Sequence, residues 1–282
     1  MAQAKTSNAG ISNAKPVLQV KGLTVRNLAR NAILSEVTLE IRAGEIFGVL
    51  GESSVGKTTL AKSILGILPE SLYVERGEIR FDGKNLLDLS QKQMESIWGR
   101  GISYLPQNAG AALNPVFKLK TQIYDLARRR SNQKRTQDKW VLSALKQVYL
   151  PDDEAFLNKY PFQLSGGQQQ RFLMAELLVV QPQVLIADEP TASLDASVQQ
   201  EIVQLLRHVR DSFGLSILFI THDLAILSEI ADRSCVLFDG KIVEIQKTEK
   251  LIKNPQHDYT KKLVHLSKRL SILHSETAKE SS

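Results

Sequence analysis

A glycine-rich turn between an apolar run and a helical pattern is the first part of this sequence that could do chemistry. The stretch "VLGESSVGKTTLAKSILG", residues 49–66, fits the spacing G-x-x-x-x-G-K-[ST]. In such a turn, successive backbone N–H groups surround a phosphate, and the N-terminus of the following helix adds partial positive charge. The spacing therefore predicts a phosphate-binding loop, the P-loop. The residues expected to bind nucleotide are Gly51, Ser53, Ser54, Val55, Gly56, Lys57, Thr58 and Thr59.

Five residues, two of them in the P-loop itself, would carry the chemistry of a nucleotide-hydrolysing site. Lys57 is expected to reach the β- and γ-phosphates, and the hydroxyl of Thr58 to complete the shell of a Mg²⁺ ion. The run "VLIADEP" predicts a buried strand ending in two carboxylates. Asp188 is expected to hold Mg²⁺ through water, and Glu189 to orient or deprotonate the attacking water. The run "ILFITHD" repeats this design, so His222 is expected to contact the γ-phosphate rather than to be an ordinary loop histidine.

Elements that could position these residues alternate along the chain. Short apolar runs alternate with helical patterns, which is typical of a parallel α/β sheet. One such pattern, "SVQQEIVQLLRHVRDSF", predicts a helix between the strands "QVLIADEP" and "LSILFITHD". The helical block between two strand-bearing parts predicts an inserted subdomain. A hairpin is expected at Asp82-Gly83. The expected divisions are a disordered lead-in (1–16), a nucleotide-binding domain (17–246) with its helical subdomain (about 112–182), and a C-terminal helical extension (247–282).

Composition narrows the class of protein. The 282 residues are enough for a large buried core. No apolar run approaches the ~18–20 residues that cross a bilayer, and the N-terminus lacks the apolar core of a signal peptide. The single cysteine, Cys235, cannot form an internal disulfide. It is expected to be a small core residue in a reducing compartment.

Positive charge is concentrated in one segment. The net charge is +6, and residues 118–139 alone hold eight Lys or Arg against two Asp. Such a segment can meet nucleic acid or anionic lipid, or it can be a solvated helix face. Only Tyr124 interleaves with these charges, which weakens an interpretation based on base stacking.

The run "LSGGQ", residues 164–168, adds a family resemblance. Together with the P-loop, "VLIADEPTASLD" and "ITHD", in this order, it resembles the ATP-binding subunits of ABC transporters over roughly residues 17–260. The resemblance implies an α/β fold, with a RecA-like core, an antiparallel β subdomain and an inserted helical subdomain. It implies that Gln107 senses Mg²⁺ and contacts membrane subunits, that Asp195 lies in the D-loop, and that His222 is the switch histidine. The signature residues it implies are Ser165, Gly166, Gly167 and Gln168.

The signature precedes a helix, "QQQRFLMAELLVV", so it makes a second helix N-terminus suited to a phosphate. Two such ends on different subdomains predict a closed dimer. In that dimer each ATP lies between the P-loop of one subunit and the signature of the other. Closure would do work, and hydrolysis would reopen the pair.

Finer resemblance indicates a branch of importers. The runs "LPQNAGAALNPV", "YPFQLSGGQQQR" and "NPQHDYTKKLV" are similar to the oligopeptide, dipeptide and nickel importer branch, and "RNLARNAIL" is most similar to its nickel or metallophore members. This implies a peripheral subunit on the cytoplasmic face of the membrane, energising import of peptides or metal complexes with ATP and Mg²⁺. The implied partners are two permease subunits, a second ATPase, identical or related, and an extracytoplasmic binding protein. No nucleic acid is expected.

Two departures from the family pattern leave alternatives open. Ser54 stands where the family usually has Gly. A serine at a positive φ costs on the order of 1 kcal/mol. The region "LTVRNLARNAIL" lacks the aromatic residue that stacks on adenine, so Arg26 or Arg30 is considered instead. A catalytically weak regulatory subunit is one alternative, opposed by the intact Lys57 and Glu189. The other, a non-transport ABC ATPase acting on nucleic acid or ribosomes, is motivated by the positive charge.

Overall fold

A computed structural model describes residues 15–192 and 194–267. Most of the expected lead-in, and residues 268–282 of the expected C-terminal extension, lie outside the described residues. The chain divides into two compact units. The first comprises the residues up to Leu89, Ser216–Leu218 and those from His222 onward, and the second comprises Ser90–Leu215 and Phe219–Thr221.

The described strands and helices are labelled here in chain order. The strands are β1 (Pro16–Asn27), β2 (Ala32–Arg42), β3 (Ile46–Leu50), β4 (Leu72–Phe81), β5 (Lys84–Asn85), β6 (Ile102–Leu105), β7 (Val184–Asp188), β8 (Ser216–Thr221), β9 (Arg233–Phe238) and β10 (Lys241–Lys247). The helices are α1 (Lys57–Leu65), α2 (Gln91–Ile97), α3 (Ala109–Ala112), α4 (Leu119–Arg130), α5 (Lys134–Gln147), α6 (Glu154–Leu157), α7 (Gly166–Val180), α8 (Ala196–Phe213), α9 (Leu224–Ile230), α10 (Thr248–Lys253) and α11, described over residues 258–267.

The first unit contains an antiparallel sheet in the order β2-β1-β4-β5. Alternate residues of β1 and β2 are buried, which is the pattern of a sheet with one face against a core. The expected hairpin between β4 and β5 is confirmed, with Asp82 at φ 47° and Gly83 at φ 82°. Both values lie in the left-handed region that this kind of tight turn requires.

The first unit also carries β10, β9, β3 and the first half of β8, in that order. All five residues of β3 are buried, and β3 runs parallel to β9. Close packing is needed here, since a Cβ on Gly48 would come within 2.3 Å of the Leu227 side chain of α9. β3 therefore delivers the P-loop from a rigid, buried strand.

The second unit contains the remainder of β8, then β7 and β6, together with α2 to α8. β6 and β7 are parallel, and Tyr104 pairs with Ile186. The expected helical block is occupied by α4 to α7, and the helix expected after the Asp195 region is α8. Across the described residues, every helix is too short or too polar to span a bilayer.

Candidate functional site

The P-loop joins β3 to α1 within the first unit. α1 begins at Lys57 without any side-chain cap, so backbone N–H groups at its N-terminus are available to a ligand. Gly56 has φ 104°, and a Cβ there would lie 2.6 Å from the Leu34 side chain. Gly51 is equally constrained, because its Cβ would lie 2.7 Å from the Leu237 carbonyl oxygen. Both glycines of the spacing are therefore needed for packing as well as for the shape of the turn.

Lys57 is held by the loop that it closes. Its Nζ donates to the carbonyl oxygens of Gly51, at 2.9 Å, and Glu52, at 2.8 Å. The side chain is only 4% exposed. The contact with Glu52 was missed from the sequence, because a carbonyl is supplied by every residue type and leaves no signal. The ammonium group is thus held by two carbonyl oxygens of the loop itself.

Ser54 adopts the conformation for which glycine is favoured. Its φ is 68°, in the left-handed region. A serine there costs on the order of 1 kcal/mol relative to a relaxed backbone. The N–H of the residue is retained, so the cradle keeps its donors. Ser53, Ser54 and Thr58 are exposed, and Val55 and Thr59 are partly exposed.

The two carboxylates at the end of β7 lie in the second unit. Asp188 is 3% exposed, and its Oδ2 accepts a hydrogen bond of 3.0 Å from the Tyr104 hydroxyl. Burial, followed by the charge of Asp188 and this bond, raises the pKa of Tyr104 far above its ordinary value. Tyr104 was missed from the sequence. The register explains the contact, because Tyr104 pairs with Ile186 and Asp188 lies two residues further on the same face.

Glu189 follows β7 at φ 49°, another left-handed residue that is not glycine. Its N–H donates to the carbonyl oxygen of Ile220 in β8, at 2.9 Å. Backbone conformations of this kind persist where surrounding contacts fix them, and they are frequent at functional sites. The carboxyl group of Glu189 is therefore attached to a backbone that β7 and β8 hold in one place.

The signature and Asp195 form one pocket within the second unit. Ser165 caps α7 in a reciprocal box, accepting from the Gln168 N–H while Gln168 Oε1 accepts from the Ser165 N–H. Asp195 caps α8 by accepting from the Val198 N–H at 3.0 Å. The pocket measures about 370 Å³. It is lined by Ser165, Gly166, Gly167, Gln168, Arg171, Leu194, Asp195 and Val198.

Gly166 faces the open side of this pocket, because a Cβ there would meet nothing within 4 Å. A helix N-terminus that opens onto a polar pocket is suited to an anionic group. The remaining expected residues lie on exposed loops. Gln107 follows β6 in the second unit, and His222 follows β8 in the first.

The basic segment 118–139 differs from a simple charged surface. Arg130, the last residue of α4, donates to the carbonyl oxygen of Val179 and, at 2.9 Å, to Gln181 Oε1. Its guanidinium also lies 4.1 Å from the centre of the Trp140 ring. These contacts place a cation at the C-terminus of α7, where the helix dipole favours it. Within this segment, Arg130 is therefore held by contacts of the fold and is not simply a solvated charge.

Other expectations for single residues can be compared with the structure. Cys235 is fully buried in β9, which confirms it as a core residue, and burial raises the pKa of its thiol to about 12. Arg26, considered for adenine stacking, pairs with Glu75 at 2.7 Å and donates to the Arg30 carbonyl oxygen at 2.7 Å. Its guanidinium is therefore already engaged.

Comparisons of the sequence and comparisons of the fold with known proteins identify the same kind of protein. The sequence profile described as "ABC transporter" matches residues 34–192. The dipeptide transport ATP-binding protein of Bacillus subtilis is 39% identical over 84% of this chain and 71% of its own length. The metal-staphylopine import system ATP-binding protein of Staphylococcus aureus is 33% identical over 90% of this chain and 94% of its own.

A solved dimeric ATP-binding cassette, in a post-hydrolysis state bound to ADP and Pi, superposes with a TM-score of 0.71 at 26% identity. The match covers 82% of this chain and 98% of that one. The expected fold class, an α/β ABC cassette with an antiparallel β sheet, is thereby confirmed. The profile match spans more than half of the chain, and both relatives are more than 30% identical over most of it. The chain belongs to the ABC transporter family.

Proposed function

We propose that this protein is the ATP-hydrolysing subunit that energises an importer of peptides or metal complexes. As a member of the ABC transporter family it is an ATP-binding ATPase. The importer assignment is supported by the two relatives, whose names refer to dipeptide transport and metal-staphylopine import. The observation that carries the catalytic part is the pre-formed P-loop, in which Lys57 is already bound by the carbonyls of Gly51 and Glu52.

The P-loop residues would hold the phosphates of ATP. The uncapped N-terminus of α1 supplies N–H donors and partial positive charge, and Lys57 moves its ammonium from loop carbonyls to the β- and γ-phosphates. Lys57 Nζ would therefore have oxygen acceptors both before nucleotide binds, from the loop carbonyls, and afterwards, from the phosphates. The role of His222 would be to contact the γ-phosphate from the end of β8.

The hydrolytic step is assigned to Glu189, which orients the attacking water and accepts its proton. Its fixed backbone limits the positions that the carboxylate can take. A Mg²⁺ ion bound with the nucleotide would neutralise charge that develops on the phosphates. Oxygen donors of the kind Mg²⁺ prefers are available from Thr58, Gln107 and Asp188. In the described residues, no group of three or more His, Cys, Asp or Glu side chains could hold a metal. Nucleotide oxygens and water would complete the shell.

The signature pocket is proposed to receive the nucleotide of a second ATPase subunit. Its volume of about 370 Å³, the open face at Gly166 and the N-terminus of α7 suit a phosphate group. A related cassette with ADP and Pi is dimeric, which supports a dimer here. The partner would be a second copy or a related chain.

The remaining partners are proposed to be two permease subunits and an extracytoplasmic binding protein. The chain would then lie peripherally, on the cytoplasmic face of the membrane. Domain limits are proposed as a cassette over 17–246, a helical subdomain at about 112–182, and a C-terminal extension from 247. The transported molecule would be chosen by the binding protein and the permeases.

Two experiments test the proposal. First, ATP hydrolysis by the assembled complex is compared with that of Glu189→Gln. We expect at least a hundredfold loss of turnover with ATP binding retained, whereas equal turnover would favour a catalytically weak regulatory subunit. Second, the chain is purified from mild-detergent membranes and its partners are identified by mass spectrometry. Two polytopic membrane proteins and a second ATPase are expected. Ribosomal or nucleic-acid partners without a membrane protein would contradict the importer.

A further inference from the structure

Tyr104 has no part in the proposed function, yet its hydroxyl is bound to a residue that has one. The hydroxyl donates to Asp188 Oδ2 at 3.0 Å, and both residues belong to the second unit. β6 and β7 run parallel, with Tyr104 opposite Ile186 and Leu105 opposite Ala187. The contact therefore joins the ends of two neighbouring strands of one sheet, across 84 positions of the sequence.

The chemistry of the two groups fixes the direction of this hydrogen bond. A carboxylate can only accept, so the Tyr104 hydroxyl donates. Burial, followed by the charge of Asp188 and the bond itself, raises the pKa of Tyr104 far above its ordinary value. The hydroxyl therefore keeps its proton at neutral pH and remains a donor. Hydrogen bonds to an ionised acceptor are stronger than those between neutral groups, so this contact is suited to holding a side chain in place.

Asp188 needs such a partner if its carboxylate is to have one direction. All five residues of β7 are buried, and Asp188 itself is 3% exposed, so its main chain is fixed by the strand. The rotation of an aspartate carboxylate about its last bond has only broad preferences of its own. Because both oxygens turn together, a bond at Oδ2 also sets the direction of Oδ1.

We propose that Tyr104 is a positioning residue for the Mg²⁺ site, acting through the carboxylate of Asp188. Carboxylates that bind metals are commonly hydrogen-bonded themselves, and these partners set their orientation. Mg²⁺ demands near-ideal octahedral geometry, so the direction of each protein oxygen matters. Tyr104 would touch neither the metal nor the nucleotide. The inference rests on the proposed role of Asp188 in the Mg²⁺ shell.

The test compares two tyrosines of the second unit that make the same kind of bond. Tyr124 of α4 donates to Asp138 Oδ1 of α5 at 2.7 Å, and neither of these residues belongs to the proposed site. Tyr104→Phe and Tyr124→Phe each keep the ring and remove one hydroxyl from a pair of Tyr and Asp. Any general effect of losing such a bond should therefore appear in both variants.

The measurement is equilibrium binding of the β,γ-imido analogue of ATP to the full chain, by calorimetric titration in EDTA and in excess Mg²⁺. The quantity compared is the ratio of the two affinities, because it isolates the contribution of the metal. In Tyr104→Phe we expect the affinity in EDTA to be unchanged and the ratio to fall about tenfold, the low end of the range for partners of metal-binding groups. Tyr124→Phe should keep the wild-type ratio.

Asp188→Asn separates the inference from the proposal on which it rests. If Asp188 helps to hold Mg²⁺, this variant also lowers the ratio, and adding Tyr104→Phe lowers it by less than about twofold more. An unchanged ratio in Tyr104→Phe, or an equal fall in Tyr124→Phe, would overturn the inference alone. An unchanged ratio in Asp188→Asn would reject the proposed role of Asp188, and the inference with it. Absence of binding by the wild-type chain would contradict the proposed function itself.

Discussion

Stability above neutral pH should be limited by one buried carboxyl group. Glu176 lies on α7 in an apolar cavity of about 150 Å³ in the second unit. Burial raises the pKa of Glu176 from its ordinary 4.5 to about 8. Tyr104 is the other titratable residue lining the cavity, and its hydroxyl is bonded to Asp188. The carboxyl group is therefore expected to be neutral in the folded protein at pH 6 and charged at pH 9.

The sign of the pH effect follows from linkage. The folded state binds the proton more tightly than the unfolded state, so the stability this proton provides is fully present below about pH 4.5. It is lost as the pH rises through about 8. One pKa unit corresponds to about 1.4 kcal/mol, which gives a ceiling of about 5 kcal/mol. Because Glu176 keeps partial solvent contact, we expect about 2 kcal/mol to be realised between pH 5 and pH 8.

The measurement compares Glu176→Gln with wild type by urea unfolding at several pH values. Glutamine keeps the shape of the neutral carboxyl group, so the two proteins should be nearly equal at pH 5. The variant should be more stable by about 2 kcal/mol at pH 8. Glu95→Gln, on the exposed surface of α2, is measured in parallel as a control for the effect of a Glu→Gln change at a solvated position. A difference between variant and wild type that is the same at every pH would refute the reasoning.

Two further substitutions test individual contacts. Ser54→Gly relieves the left-handed backbone at φ 68° and should raise the free energy of unfolding by up to about 1 kcal/mol, measured by urea titration; a loss of stability would contradict this. Arg130→Ala should lower the free energy of unfolding by about 2 kcal/mol, because the bond to Val179 and the contact with Trp140 are lost. Arg129→Ala, at an exposed residue, should leave the free energy of unfolding unchanged. Equal effects of the two substitutions would show that Arg130 is only a surface charge.

Local patterns predicted much of this fold. The P-loop between β3 and α1 could be read from the chain because glycine spacing, a buried run and a helical pattern occur together. The turn at Asp82-Gly83 and the helix α8 followed from turn chemistry and apolar periodicity. The signature residues and Asp195 were expected as separate motifs, and the structure brings them to one pocket.

Contacts set by tertiary packing could not be predicted in this way. The bond between Tyr104 and Asp188 joins residues 84 positions apart and depends on strand register. Arg130 had the sequence context of a solvated charge, but its environment is decided by α7 and Trp140. Glu176 interrupts an apolar run, "FLMAELLVV", which was a visible signal of a buried charge. The raised pKa of Glu176 could not be predicted without knowing the cavity that the residue lines.

The way in which Lys57 is held also bears on how this sequence can drift over evolutionary time. Its two attachment points are peptide carbonyls, at Gly51 and Glu52, which a change of side chain does not remove. Substitutions at positions 53–55 can therefore accumulate as long as the path of the backbone survives. Ser54 has a φ of 68°, and both bonds of Lys57 are present beside it. Selection at this loop would act on the backbone conformation more than on the identity of individual side chains.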